Sequence, residues 1–170
     1  DGTVRVVQGF FGKGVILVKR GKNGGRAAAL NSGLQRASGD VIIMTDADTI
    51  VPAGWLEMFE RQFKQKDVVA AGGAYTAYNR HNPLVHATSV LDQILNGLFK
   101  KCIIPNKLSG VNSAIRKDVL LNLGGFDENS WWSEDSDLGW KAKGFGRVVY
   151  DPSNIVSTHY PDSWQGIWKR

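Results

Sequence analysis

Apolar residues follow two rhythms along this chain, and their alternation predicts its architecture. Residues 15–18, 41–45 and 68–75 are short apolar runs that read as buried strands. Ala27, Leu30, Leu34 and Ala37 fall at helical spacing, as do Trp55, Phe59 and Phe63, with Pro52 just ahead of the second set where a first helical turn tolerates it. Val4, Val7 and Phe11 suit one face of a short helix, although the β-branched valines would also accept a strand. Strand, glycine turn and helix thus recur. That pattern predicts an α/β domain of the Rossmann-like kind, a mostly parallel sheet flanked by helices. Ligands in such sheets sit beyond the carboxyl ends of the strands, where Asp46 and Asp48 would lie.

The second half is less regular. Helices are expected over 83–101, over 116–123 up to the stop at Gly124-Gly125, and over 134–143. Short apolar segments at 111–115 and 147–150 complete the pattern, and Trp164, Ile167 and Trp168 give the end a helix-like spacing. One domain spanning 1–170 is the expectation for this length. Neither end reads as a natural terminus, so a fragment is expected.

Charge and composition narrow the function. Twenty-one basic against 16 acidic residues give +5, which favours anionic partners. The basic residues form no stripe with interleaved aromatics, so a nucleic-acid partner is not expected. Cys102 is the only cysteine, which excludes an intrachain disulfide and a cysteine metal cluster and makes a reducing, cytoplasmic compartment the default. No apolar run approaches the ~20 residues needed to cross a bilayer.

Four clusters carry candidate chemistry. Asp46 and Asp48, one residue apart after an apolar strand, suit Mg²⁺ or Mn²⁺, hard cations that keep waters and share coordination with phosphates. A turn in which both aspartates bond to backbone amides is the bland alternative. In the segment 131–137, Trp131 and Trp132 precede Glu134, Asp135 and Asp137. Flat aromatic faces beside carboxylates suit a sugar, and one carboxylate could act as general base. Three acids in a first helical turn also stabilise the helix by themselves. Asn23-Gly24-Gly25-Arg26 at a helix start is a candidate anion site, against a plain surface turn. His159, after Ile155-Val156, could complete a metal site with Asp48 or be a hydrogen-bonded structural group.

In order and spacing these motifs resemble glycosyltransferase family 2, with its GT-A fold. Asp1-Gly2-Thr3 resembles the end of the family's nucleotide loop, and residues 23–31 resemble its Gly-Lys-x-x-Ala-Leu-Asn turn. Asp46-Ala47-Asp48 resembles its metal motif, and residues 109–116 its acceptor-side strand. Gly124-Gly125-Phe126-Asp127-Glu128 followed by Glu134-Asp135 resembles its catalytic segment. The resemblance implies inverting transfer from a nucleotide-diphosphate sugar to a saccharide or lipid-linked acceptor, assisted by Mn²⁺ or Mg²⁺. Asp135 would be the base and Glu134 would position the acceptor. Asp48 would hold the metal, Asp46 the ribose or the metal's waters. Arg26, in place of the usual lysine, and Asn23 would face the donor, while Trp132 and Asn112 would face the acceptor. The family's first strand would precede Asp1. The end resembles the approach to the Gln-x-x-Arg-Trp motif of polymer-making members, which predicts membrane helices beyond Arg170 and a segment around Trp164 and Trp168 at the cytoplasmic membrane surface. Two alternatives stand beside this: haloacid dehalogenase-like phosphotransfer with Asp46 as nucleophile, and a non-catalytic sugar-binding domain.

Overall fold

A computed structural model describes residues 2–102, 108–129 and 134–168. It contains helices α1 (Thr3–Gln8), α2 (Gly25–Leu34), α3 (Trp55–Phe63), α4 (Pro83–Cys102), α5 (Lys117–Asn122), α6 (Glu134–Ala142) and α7 (Trp164–Trp168). The strands are β1 (Val41–Met44), β2 (Thr49–Ile50), β3 (Val68–Ala77), β4 (Ser113–Arg116) and β5 (Arg147–Thr158). They form one sheet in the order β1-β4-β3-β5-β2.

The sheet is mixed, which corrects the expected mostly parallel one. Only β3 and β5 pair in parallel; β1–β4, β4–β3 and β5–β2 are antiparallel. The long helix α4 is the reason. The chain leaves β3 and returns to begin β4 at the same end of the sheet, where Ser113 pairs with both Met44 and Gly72. A strand that re-enters at the end just left must run antiparallel. β1, β3 and β5 still share one direction, so their carboxyl ends lie together, as the α/β reading requires.

The expected strand at 15–18 does not form; these residues are irregular. A strand needs a neighbour's ladder, and none of the described strands pairs with this segment. β2, absent from the sequence reading, is two residues long and exists through its pairing with Ser157 and Thr158.

Residues alternate faces along the strands. Ala70 and Ile115 join Leu34, Val119, Leu120, Phe126 and Leu138 in the core under α2, α5 and α6. Ala71 and Ala114 face the other way, toward Phe59 of α3. Phe59 is 1% exposed and meets Trp55 edge-on at 5.7 Å; burying such a ring stabilises by about 1.5–3 kcal/mol. Arg116 ties the end of α3 to the sheet, its guanidinium donating to the carbonyls of Phe63, Gln65 and Val68. One guanidinium thus serves the last residue of α3, the turn after it and the first residue of β3.

At the sheet centre the side-chain space vanishes. A Cβ at Gly73 would lie 2.2 Å from Asn112 Nδ2 and 2.4 Å from the Asn154 carbonyl oxygen. Only glycine fits, and the β3–β5 register shifts between Gly73 and Ala74 at this point.

Candidate active site

The turn before α2 is built by Asn23, whose Oδ1 accepts the Gly25 amide at 3.0 Å in an Asx turn. Gly25 has φ +82°, a conformation that favours glycine. The turn presents Arg26 at the first turn of α2. Arg26 Nη2 donates to Asp46 Oδ1 at 3.0 Å, and both side chains are 37% exposed. Asp46 follows β1, and its carbonyl accepts the Thr49 amide, closing the turn that leads into β2.

Gly110 joins this pair to Asp135. The guanidinium of Arg26 packs so closely on Gly110 that a Cβ there would lie 2.3–2.8 Å from its two Nη atoms and Cζ. The Gly110 amide in turn donates to Asp135 Oδ2 at 2.8 Å. Asp46, Arg26, Gly110 and Asp135, drawn from four separate stretches of chain, are therefore in sequential contact. A helix N-terminus (α6), the start of β4 and the end of β1 meet here.

Asp48 lies on the β5 side of the same turn. Thr158 Oγ1 donates to Asp48 Oδ1 at 3.3 Å, and the His159 amide donates to the Asp48 carbonyl at 3.2 Å. Asp48 and His159 thus extend the β2–β5 pairing as neighbours. The His159 ring lies 5.6 Å from that of Tyr78, with Nε2 3.4 Å from Asn79 Nδ2. Among the described residues no three His, Cys, Asp or Glu side chains converge into a preformed metal cage. The donor set fits a different kind of site: Mg²⁺ or Mn²⁺ needs only one or two protein carboxylates when waters and phosphates fill the rest, and Asp48 is an exposed carboxylate of that type.

Asn112 corrects the sequence reading. It is fully buried, its Nδ2 donates to the carbonyls of Ala74 and Asn154 at 2.8 Å each, and its Oδ1 accepts Trp55 Nε1 at 2.9 Å. With donors and carbonyl all engaged inside the fold, it has nothing to offer an acceptor sugar. Trp132 lies outside the described residues; Glu134 opens α6, and its side chain lies outside them too.

Two contributors carried no role in the sequence reading. Gly110 is one. Asn31 is the other: its amide donates to the Phe126 carbonyl at 2.9 Å and to Glu128 Oε1 at 2.8 Å, and its Oδ1 accepts the Phe126 amide at 2.9 Å. It pins the 124–128 loop to α2 and walls a polar cavity of about 460 Å³ with Glu128 and Asp137. The visible signal was its place in the 23–31 motif; the partner, 95 residues away, was not.

Residues 1–124 match the family model described as Glycosyl transferase family 2. A poly-β-1,6-N-acetyl-D-glucosamine synthase of Staphylococcus aureus is 29% identical over 165 residues, covering 91% of this chain and 39% of the synthase. A pre-mycofactocin glycosyltransferase of Mycobacterium tuberculosis is 30% identical over 139 residues, covering 78% of the chain and 30% of that protein. The chain thus spans well under half of either relative. Among solved structures, a mannosyltransferase from Pyrobaculum calidifontis in complex with GDP-Man and Mn²⁺ superposes with a TM-score of 0.77 at 21% identity, covering 99% of this chain and 47% of that one. TarS of S. aureus gives 0.69 at 16% identity, covering 98% and 50%.

Proposed function

The chain belongs to glycosyl transferase family 2 and has the GT-A fold, and from that premise we propose that it transfers a sugar, with inversion, from a nucleotide-diphosphate donor to an acceptor hydroxyl. The observation that carries the reading is the contact run Asp46–Arg26–Gly110–Asp135. It brings a guanidinium suited to a diphosphate within one residue of a half-buried carboxylate suited to a base.

In this reading Asp135 takes the acceptor's hydroxyl proton as the oxygen attacks the anomeric carbon and the bond to the diphosphate breaks. Arg26 exchanges Asp46 for the diphosphate, with Asn23 holding the turn that aims it. Asp46, so released, faces the ribose or the metal's waters. A divalent ion, Mn²⁺ or Mg²⁺, would supply positive charge for the departing diphosphate; Asp48 would hold it, with His159 as its neighbour. Glu134 positions the acceptor and Trp132 stacks on its sugar ring. Family membership sets aside haloacid dehalogenase-like phosphotransfer, and the intact Asp46, Asp48 and Asp135 argue against a purely sugar-binding domain.

Residues 1–170 belong to one catalytic domain, of which they are a part. The polysaccharide-synthase relative supports a saccharide acceptor, a lipid-linked one being the variant; work at the cytoplasmic face of a membrane belongs to the same proposal. Among the described residues no helix is long and apolar enough to cross a membrane; Trp164 of α7, 66% exposed, suits a membrane surface. The test is turnover of nucleotide sugars by the full-length protein. Transfer or hydrolysis should stop on chelation and return with Mn²⁺ or Mg²⁺; chelator-resistant turnover would refute the metal-assisted mechanism.

A further inference from the structure

Gly110 lies in the turn that leads into β4, and three facts about it belong together. It is buried. Its amide donates to Asp135 Oδ2 at 2.8 Å. The space where its Cβ would stand is filled by the Arg26 guanidinium, with Nη2 at 2.3 Å, Nη1 at 2.7 Å and Cζ at 2.8 Å.

We infer that Gly110 is a positioning residue that sets the donor-side cation and the base in one geometry, through its amide on Asp135 and its missing side chain under Arg26. The inference rests on the transferase reading and names a further determinant of that same site. The amide anchors one carboxylate oxygen of Asp135, Oδ2, and so fixes where the carboxylate stands. The absent Cβ lets the planar fork of Arg26 lie flat at the level of the Asp46 carboxylate, 3.0 Å away. A lysine would need no such clearance, because its ammonium is a compact point at the end of a narrow stem. Arginine at position 26 and glycine at position 110 are therefore one steric unit.

The contrast with Gly73 sharpens this. There a Cβ would strike the Asn154 backbone carbonyl at 2.4 Å, so a side chain would disturb the sheet itself. At Gly110 everything within the same reach is the tip of a flexible side chain. Gly110→Ala should leave the fold standing and move Arg26.

The experiment compares Gly110→Ala, Arg26→Lys and the double variant in the full-length protein. It reads kcat, donor KM, and thermal stabilisation by a nucleoside diphosphate with Mn²⁺. A misplacement of about 1 Å near reacting groups costs up to about 10²-fold. Gly110→Ala alone is expected to lower kcat/KM by about that factor, with donor KM raised and unfolding temperature little changed. Arg26→Lys alone should cost less, about tenfold. The double variant should recover most of the Gly110→Ala loss, since the thinner lysine clears the new methyl; such coupling marks residues in contact. Losses that multiply, with no recovery, would overturn the inference, as would Gly110→Ala with wild-type kinetics. If the wild-type protein turns over no nucleotide sugar, the transferase reading fails instead. The diphosphate-binding arm still reads the coupling of 26 with 110 in that event, and equal binding by all four proteins would sink it.

Discussion

At the open end of the sheet, Arg26 holds Asp46 across 3.0 Å with each side chain 37% exposed; one layer below, Asn112 is fully buried and bonded to Trp55, Ala74 and Asn154. Both regions are polar and both are hydrogen-bonded. They differ in what the bonds can be exchanged for. A half-exposed ion pair contributes ~0–1 kcal/mol to stability, so an arriving diphosphate can take the guanidinium at little expense. A buried amide that loses its partner leaves donors and acceptors stranded at about 1–3 kcal/mol each. The upper layer is built to trade partners and the lower layer to keep them.

Removing the base should give the largest separation between the two layers. Asp135→Asn retains the shape of the side chain and its contact with Gly110 and removes the proton acceptor. It is expected to lower kcat by about 10³-fold, in the range that general bases supply, with nucleoside diphosphate binding and unfolding temperature unchanged. Rate assays beside calorimetric titration would check this; retention of wild-type kcat would remove Asp135 from the chemistry.

Asn112→Ala should do the reverse, with a smaller effect. It strands Trp55 Nε1 and the carbonyls of Ala74 and Asn154, and should cost about 3 kcal/mol of stability while leaving diphosphate affinity intact in the folded fraction. Urea unfolding with parallel binding measurements reads both quantities. A variant of normal stability that binds acceptor poorly would return Asn112 to the acceptor role that its residue type suggests.

The same contrast explains what could be read in the sequence. Strands over 41–44 and 68–77 and helices around Ala27, Phe59 and Leu120 were legible because burial imposes a period on residue types. The carboxylates and Arg26 stood out because their spacing is local and each lies at the end of a periodic element, and the structure sets Arg26 on Asp46. Asn112 misled because polarity alone does not say whether a partner is solvent, ligand or the chain itself. Its three partners lie 38 to 57 residues away. The antiparallel β4 was illegible for a related reason: strand direction depends on where the long excursion through α4 re-enters the sheet, and periodicity carries no such information. Residues 15–18 have a strand's composition and lack a strand's neighbour. Gly110 was passed over because its contribution is an amide and an empty space.

In the proposed mechanism the donor side and the base share one cleft, joined through Arg26 and Gly110. A crystal structure of the full-length protein with a nucleotide sugar and Mn²⁺ tests it most directly. The account predicts the ion on Asp48, the diphosphate against Arg26 with the Arg26–Asp46 contact broken, and the anomeric carbon facing Asp135. A diphosphate bound away from Arg26, or an Asp135 carboxylate turned from the sugar, would contradict it.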